Sequence, residues 1–472
     1  MIKKSWDTLL SKKRQRDTTT SFLQFRNEFD KDYERIIYSS SLRRLQDKAQ
    51  VFPLQESDFI RTRLTHSLEV ASLGRSMAWN IGTWLLEKGE LKDFWQVKEL
   101  ASLLEVACLV HDLGNPPFGH YGEDVIRKWF KVWFSTPQFE EIEGRFSKVG
   151  LGLSEQQKND FCFFEGNAQG IRILAKLQFL NDQYGANFTY GTLATLIKYP
   201  WPSDHKNAKT KKKIGYFFSE KDLFDDIQKE VGIGPHRHPA TYILEAADDI
   251  AYLTADIEDG VKKKVIPWEE IYYSDLKPFL EKSYPKQLER LEEYRSQGQK
   301  NKVPDKDVVN VQNFKVMAQG IFITAVTNVY KECYDAIMSG EFDGDLLDAS
   351  PAKELKELLQ RISRTYCFSA SEVLTLELIG DRVISDLLSL FVNAVLEVDN
   401  ESKTKSKEQK LYSLISQNFR HIQKLDEQGV PTVDINKLTL YNRLLLVTDF
   451  ISGMTDSYAV NLHQKLLGVK LP

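Results

Sequence analysis

Cysteine is scarce in this sequence, with only four among 472 residues. No two of them form a CxxC pair, which argues against a disulfide framework and a zinc knuckle. Long apolar runs are also missing, since no segment offers the roughly 18 uninterrupted apolar residues of a membrane span. The N-terminal stretch MIKKSWDTLLSKKRQRD lacks the apolar centre of a secretory signal. We therefore expect a soluble cytoplasmic protein with no membrane partner.

An excess of charge of either sign is missing as well. The formal net charge is −4, so no overall basic field would attract nucleic acid. An anionic ligand would have to be held by local clusters, such as KNAKTKKK at 206–213 and KKK at 262–264. Charge runs are usually solvated surface. Binding of a nucleotide activator or of single-stranded DNA by these clusters stays open.

Strand-like alternation is rare, and apolar residues recur mostly at helical spacing. In the segment 97–113, Leu100, Leu103 and Leu104 share one helical face, and Gly114 is a typical helix stop. We expect an all-α fold with little β structure, at most one short hairpin near 213–219. The predicted helices cover about 26–46, 66–82, 97–113, 165–180, 241–259, 312–338, 352–364, 369–398, 408–424 and 438–467.

The domain organisation is predicted from the places where the helical spacing of apolar residues is interrupted. We expect a helical catalytic core over residues 1–265, with an insertion at about 131–165. Residues 266–472 are expected to form a helical extension that packs on the core and completes the site. No internal repeat is visible.

Four residues carry the strongest chemical signal: His66, the adjacent pair His111 and Asp112, and Asp248. Two imidazoles and two carboxylates form a suitable ligand set for a divalent cation such as Mg²⁺, Mn²⁺ or Zn²⁺. Adjacent residues on a helix point about 100° apart, so His111 and Asp112 can share one ion only near a helix end. The Gly114 stop provides that end. The four residues are therefore predicted to hold one metal.

The choice of the last ligand follows from the helical wheel of the segment 241–259. Asp248, Tyr252 and Asp256 fall within about 80° of one another, whereas the apolar residues take the opposite face. Asp249 lies at the edge of the same face and remains the competing ligand. The wheel favours Asp248.

Longer stretches resemble a known family. HDLGNPPFGHYGED at 111–124, FEGNAQGIRIL at 164–174, EAADDIAYLTADIED at 245–259 and DFISGMTDSYA at 449–459 are similar to segments of the deoxyguanosine triphosphate triphosphohydrolases (dGTPases), within the HD-domain metal-dependent phosphohydrolases. The resemblance implies a mostly helical oligomer, a hexamer or tetramer, that uses Mg²⁺ or Mn²⁺. It also implies hydrolysis of a deoxynucleoside triphosphate, dGTP favoured, to the deoxynucleoside and tripolyphosphate.

The resemblance also assigns roles to individual residues. His66, His111, Asp112 and Asp248 match the metal ligands, His120 matches the proton-transferring histidine, and Glu123 matches the carboxylate that orients it. A histidine suits this task because its ordinary pKa is about 6.5. Arginine suits bidentate phosphate contact. The residues expected to bind substrate are Gln50, Arg63, Asn167, Lys198, Tyr199, Lys213, Tyr252, Asp256 and, reaching in from the extension or from a neighbouring subunit, Arg443.

Two other functions stay open on the sequence. One is a different HD phosphohydrolase, a phosphodiesterase or a nucleotidase. The other is a catalytically silent regulator that binds nucleotide or DNA. The intact pair His120 and Glu123 argues against the silent regulator, because a scaffold without turnover needs no proton-transferring group.

Overall fold

The computed structural model describes residues 4–17, 25–53, 60–178, 182–398, 406–425 and 435–470. Within these ranges the chain is helical and contains no β-strand; Ala49 and Thr62 form an isolated antiparallel bridge. The prediction of an all-α fold is therefore confirmed. No helix in the described ranges is long and apolar enough to cross a membrane.

The α-helices are numbered in chain order. The first twelve are α1 Trp6–Leu9, α2 Glu28–Ile37, α3 Ser40–Arg44, α4 Arg63–Glu87, α5 Phe94–Val110, α6 Gly119–Trp133, α7 Pro137–Ser147, α8 Glu155–Cys162, α9 Gly166–Arg172, α10 Tyr190–Leu196, α11 Lys206–Lys211 and α12 Lys221–Val231. They are followed by α13 Pro239–Lys262, α14 Trp268–Ile271, α15 Lys277–Ser283, α16 Pro285–Lys300, α17 Lys306–Glu332, α18 Tyr334–Ser339, α19 Lys353–Tyr366, α20 Ser371–Glu397, α21 Lys407–Leu414, α22 Gln417–Ile422, α23 Leu440–Ser452 and α24 Asp456–Leu466.

The predicted hairpin near 213–219 is wrong. Residues 212–217 have no regular structure and lead into a 3₁₀ turn at Phe218–Glu220. Ile214, Tyr216 and Phe217 are all buried, and the Gly215 amide donates to the Trp201 carbonyl at 3.1 Å. Successive burial differs from the alternating burial of a half-exposed strand. This apolar segment therefore passes between the surrounding helices without forming a strand.

Three long helices position the predicted metal ligands. Thr62 caps α4 by accepting the Thr65 amide, so His66 lies in the first turn of that helix. The helix α5 ends at Val110, directly before His111. Pro239 opens α13, which runs unbroken past Asp248. Because α4 packs against both α5 and α13, the ligands approach one another from three directions.

The buried apolar residues form two clusters. One lies mainly among α4, α5, α13, α17 and α19. The other surrounds α6 and includes α20, α21, α23 and α24. The loop between α5 and α6 connects the two clusters. The division at residue 265 and the insertion at 131–165 stay predictions; the latter segment holds α7 and α8.

A buried ionic network joins α9 to the C-terminal helix α23. Arg172 Nε and Nη2 donate to the two carboxylate oxygens of Asp449 at 2.7 and 2.8 Å. Its Nη1 donates to Glu220 at 2.7 Å. Gln169 and Gln423 also donate to Asp449, at 3.1 and 2.8 Å. Each carboxylate oxygen of Asp449 thus accepts from an arginine nitrogen and an amide nitrogen, as a buried charge requires.

Replacing Arg172 by Met should lower the free energy of unfolding by about 3–5 kcal/mol, because the buried Asp449 loses its cationic partner and Glu220 keeps only Lys176. Urea denaturation followed by circular dichroism measures the change. The matched control is Arg145→Met: Arg145 pairs with Glu397 at 3.1 Å, but both side chains are about half exposed. The control should cost at most about 1 kcal/mol. Equal losses in the two variants would contradict this account.

Candidate active site

The four predicted metal ligands lie together in the structure. Ligand atoms of His66, His111 and Asp112 all lie within 4.8 Å of one another. Asp248 joins them, with its Oδ1 3.0 Å from His66 Nε2 and 3.3 Å from His111 Nε2. Side chains up to 182 residues apart in sequence therefore face one small volume.

The histidines suit a divalent cation. The Nδ1 atom of His111 lies 2.7 Å from the Cys108 carbonyl, which can only accept, so Nδ1 carries a proton and Nε2 is the nitrogen that would bind a cation. His111 is buried, and its Nε2 makes no well-formed hydrogen bond among the described residues, although it lies 3.3 Å from Asp248 Oδ1 and 3.6 Å from Asp112 Oδ1. Orphaned buried imidazole nitrogens are rare in proteins unless they serve as ligands. The donor set of two nitrogens and two carboxylates fits the expected ion.

Both ligand carboxylates are held in the charged form. Burial works to raise the pKa of Asp112, but the Arg63 guanidinium, whose Nη1 donates to Asp112 at 2.6 Å, and the nearby imidazoles hold it well below its usual range. Burial acts in the same direction on Asp248, but His111 and the Lys198 ammonium, 3.5 Å away, again hold its pKa far below normal. Both side chains are thus ready to bind a cation at neutral pH.

Asp249, the competing ligand, points elsewhere. Its carboxylate accepts from Lys356 Nζ on α19 at 3.0 Å, and Lys356 also pairs with Asp348 at 3.1 Å. Burial raises the pKa of Asp249 to about 7. The two histidines contact Asp248 instead, so the geometry favours the residue that the helical wheel favours.

His120 is the second residue of α6, directly after a turn with unusual backbone angles. Phe118 has φ +63° and Gly119 has φ +60°. His120 Nδ1 lies 3.3 Å from Glu123 Oε2. The imidazole is 73% exposed, whereas the carboxylate is buried at 2%. The predicted proton-transferring group therefore faces open space, while its predicted orienting partner lies in the interior.

The pKa values of His120 and Glu123 shift in opposite directions, upward for His120 and downward for Glu123. The hydrogen bond to Glu123 and its charge raise the pKa of His120. Burial works to raise the pKa of Glu123, but the hydrogen bond from His120 and nearby cations bring it to about 2. Glu123 also accepts the Gly166 amide at 2.7 Å and Arg127 Nη2 at 3.2 Å. A charged, immobile carboxylate thus increases the basicity of the histidine.

Glu165 is a site residue that the sequence reasoning missed. This fully buried carboxylate accepts from Lys213 Nζ at 2.9 Å, Asn167 Nδ2 at 2.7 Å and Arg127 Nη2 at 2.8 Å. The signal was present, since Glu165 lies inside the motif FEGNAQGIRIL. The lack of a side chain at Gly114 lets Gly166, the residue after Glu165, pack against the loop that follows α5. A Cβ at Gly114 would lie 2.0 Å from the Gly166 carbonyl oxygen. Two predicted substrate residues therefore share one buried counter-charge.

Of the predicted sugar-binding residues, Tyr252 and Asp256 lie on α13 after Asp248, and Gln50 lies in the segment before α4. Tyr252 accepts a hydrogen bond from Gln360 on α19 at 3.2 Å. Asp256 is buried, and burial raises its pKa to about 8. The Gln50 Oε1 atom is buried with no hydrogen-bond partner in the described part of the chain. Tyr199 packs against Trp201 with ring centres 5.7 Å apart.

Within the described chain, Arg443 contacts backbone groups and not the cluster of predicted metal ligands. Its guanidinium donates to the backbone carbonyls of Val395, Val398 and Ile435, the last two at 3.2 and 2.9 Å. These bonds join α23 to the end of α20. Its role in substrate binding, including from a neighbouring subunit, stays a prediction.

The two basic clusters differ in exposure. Lys209, Lys211 and Lys212 are exposed on or just after α11. In the second cluster, Lys262 pairs with Glu258 and Lys263 with Glu372, each at 2.7 Å. Binding of an activator or of DNA by either cluster stays a prediction.

Comparison with known proteins identifies the family. Residues 63–165 match the model of the HD domain, and residues 398–465 match that of the phosphohydrolase-associated domain. A deoxyguanosinetriphosphate triphosphohydrolase-like protein of Listeria monocytogenes is 40% identical over 98% of this chain and 99% of the relative. The chain belongs to the deoxyguanosinetriphosphate triphosphohydrolase-like family of HD-domain proteins. The resemblance noted in the sequence is therefore confirmed.

Other relatives extend the comparison. A protein of Synechocystis with the same name is 33% identical over 99% of this chain and all of the relative. A deoxyguanosinetriphosphate triphosphohydrolase of Salmonella paratyphi A is 33% identical over 94% of each chain. Membership makes the chain a hydrolase of the HD class and implies a divalent metal. His66, His111 and Asp112 provide a suitable place for that metal.

Asp248→Asn should weaken Mn²⁺ binding by at least about 100-fold, since loss of a group that merely supports a metal ligand already costs roughly 10- to 100-fold. Asp249→Asn, the matched control on the same helix, should leave the affinity within about twofold. Electron paramagnetic resonance of free Mn²⁺ measures both. A larger loss in Asp249→Asn would assign the ligand role to Asp249.

Proposed function

We propose that the protein hydrolyses deoxynucleoside triphosphates, dGTP in preference, to the deoxynucleoside and tripolyphosphate. The observation that carries the proposal is the cluster of histidine and aspartate ligands beside the intact pair of His120 and Glu123. Three cationic side chains, Arg63, Lys198 and Lys213, contact acidic groups of the same centre. The names of the relatives supply the nucleotide class.

The chain's own residues divide the work of the reaction. His66, His111, Asp112 and Asp248 would hold the divalent cation, Mg²⁺ or Mn²⁺ in our proposal. Such an ion, when bound, supplies Lewis-acid polarisation of an α-phosphate oxygen. His120 moves the proton: its Nδ1 is held by Glu123, which leaves Nε2 to take a proton from the attacking water.

The cations are arranged for a polyanionic substrate. Arg63 uses Nη1 for Asp112, while its buried Nε has no partner in the described ranges and can donate to a phosphate oxygen. Burial works to lower the pKa of Lys198, but Asp248 raises it above the usual value, so this lysine is charged. Lys213, paired with the buried Glu165, completes the set. A triphosphate chain fits this distribution of charge.

In our proposal, the deoxyribose of the substrate lies along α13, beyond the metal ligands. At neutral pH most Asp256 carries its proton because its pKa is about 8, so it can donate to a 3′-hydroxyl. Gln50 offers an unpaired amide oxygen that can accept from the same group. Tyr252, which accepts a hydrogen bond from Gln360, would lie beside the deoxyribose ring. Crowding at this phenol would disfavour a 2′-hydroxyl, which would select deoxynucleotides over ribonucleotides.

Three further proposals rest on the family resemblance. We infer a cytoplasmic homo-oligomer, a hexamer or tetramer. For Arg443 to bind substrate, from its own extension or from a neighbouring subunit, the hydrogen bonds of this buried side chain to the Val395, Val398 and Ile435 carbonyls would have to open. Regulation by a nucleotide activator or single-stranded DNA would use the exposed lysines at 206–213. Those lysines lie on or beside α11, in the same segment as Lys213.

Purified protein incubated with Mn²⁺ and each deoxynucleoside triphosphate should release tripolyphosphate and deoxynucleoside, fastest from dGTP, and none from GTP. Ion-exchange chromatography separates the products. Release of monophosphate or pyrophosphate instead would assign a different HD phosphohydrolase activity. Stoichiometric nucleotide binding without turnover would assign the silent regulator. Turnover of other nucleotides only in mixtures would indicate an activator site.

His120→Ala should reduce kcat by about 10²–10⁴-fold, the usual contribution of a positioned proton-transferring group. Because His120 is not among the metal ligands, the Mn²⁺ affinity should stay within about twofold of the wild type. Steady-state kinetics and Mn²⁺ titration measure the two effects separately. Turnover near the wild-type rate would remove His120 from the mechanism.

A further inference from the structure

The C-terminal motif DFISGMTDSYA contains a carboxylate whose contacts are all remote in sequence. Asp456 is the first residue of α24 and is 7% exposed. Its Oδ1 accepts the Phe118 amide at 2.9 Å, and its Oδ2 accepts the Ala49 amide at 2.9 Å. An acidic residue at this helix position usually faces water and complements the helix dipole. Here both oxygens are occupied by backbone amides of the catalytic half of the chain.

One of those amides belongs to the loop that carries His120. Phe118 and Gly119 both adopt left-handed backbone angles, at φ +63° and +60°. This conformation is unfavourable for an aromatic residue and persists only where surrounding contacts hold it. The next residue is His120. Any relaxation of Phe118 would therefore move the imidazole relative to Glu123 and the metal ligands.

A second contact holds the same loop from α20. The Phe118 ring packs on Gly380, where an added Cβ would lie only 2.8 Å from the ring atom Cγ. The loop is thus fixed at its backbone by Asp456 and at its side chain by α20. Both supports come from the C-terminal helices, which supply none of the four metal ligands.

The other amide belongs to the segment that carries Gln50. Ala49 directly precedes Gln50, and the buried Lys48 donates to the carbonyls of Asn115 and Ser452, the latter at 3.0 Å. Asp456 and Lys48 therefore link the end of α23, the start of α24 and the loop after α5. One carboxylate bridges the two segments that carry the proposed proton-transferring and sugar-binding groups.

We propose that Asp456 is a positioning residue, which holds the Phe118–Gly119 turn so that His120 stays oriented toward the reacting phosphate. The proposal deepens the proposed function and rests on it for the role of His120. Asp456 does not touch substrate itself. Its effect on the reaction passes through His120.

Asp456→Asn tests the proposal, because an amide of the same shape accepts one of the two amides and presents a donor to the other. We expect kcat to fall by about 10–100-fold, since a displacement of about 1 Å can cost roughly 10²-fold. Mn²⁺ affinity should stay within about twofold. The matched control is Ser457→Ala, which removes a hydrogen bond to Asp47 from the same turn of α24 and should leave kcat unchanged. Equal kcat for Asp456→Asn and wild type overturns the proposal.

A double-mutant cycle separates positioning from general loss of structure. In a His120→Ala background, Asp456→Asn should change kcat by less than about twofold, because the group it positions is gone. An equal fold loss in both backgrounds means that Asp456 does not act through His120 and overturns the proposal. Gly380→Ala should disturb the same loop from α20 without weakening that helix, because alanine favours helix formation. If Asp456→Asn does not fold, the double-mutant cycle is measured with Gly380→Ala in its place.

Hydrogen exchange gives a readout that needs no substrate. Asp456→Asn should speed exchange of whichever of the Phe118 and Ala49 amides loses its acceptor, and Ser457→Ala should change neither. Unchanged exchange in Asp456→Asn overturns the proposed support. If the wild-type protein releases no tripolyphosphate, the proposed function fails, while the exchange result still decides whether Asp456 holds the loop.

Discussion

Two partly buried carboxylates that must stay charged form the constraint on which the rest of the site depends. Asp112 and Asp248 lie beside the same pair of imidazoles in an interior that favours their neutral forms. Arg63 and Lys198 supply the compensating charge. Without such partners, converging α4, α5 and α13 would bury unpaired charge at a cost of several kcal/mol per ion. The arrangement that suits a metal is therefore also what lets these helices pack.

The cationic side chains that we propose to bind substrate are subject to the same constraint. Lys213 is not a free surface lysine, since it pairs with the buried Glu165, which also accepts from Asn167 and Arg127. A phosphate that binds Lys213 competes with that carboxylate instead of meeting an uncompensated charge. The existing ion pair thus reduces the attraction for substrate. In return the cation is oriented before substrate arrives, which reduces the entropy lost on binding.

The sequence predicted what depends on local pattern. Helical spacing predicted α4, α5 and α13, and the wheel of α13 favoured Asp248 over Asp249, which lies at the edge of the same face. The hairpin near 213–219 failed because Ile214, Tyr216 and Phe217 are all buried by the helices that surround them. Glu165 was overlooked for a similar reason. Its importance comes from three donors that converge only in the folded chain.

The C-terminal motif shows why contacts over long sequence separations escape such reasoning. From sequence alone, Asp449 and Asp456 are two acidic residues within one predicted helix over about 438–467, which the structure divides into α23 and α24. In the structure, Asp449 binds Arg172 on α9 and Asp456 accepts the Phe118 amide. Buried hydrogen bonds of this kind have few alternative partners, so they fix one relative position of the elements they join. The acidic residues of the C-terminal motif are thus explained by support of the segments around the metal ligands, and not by ligation.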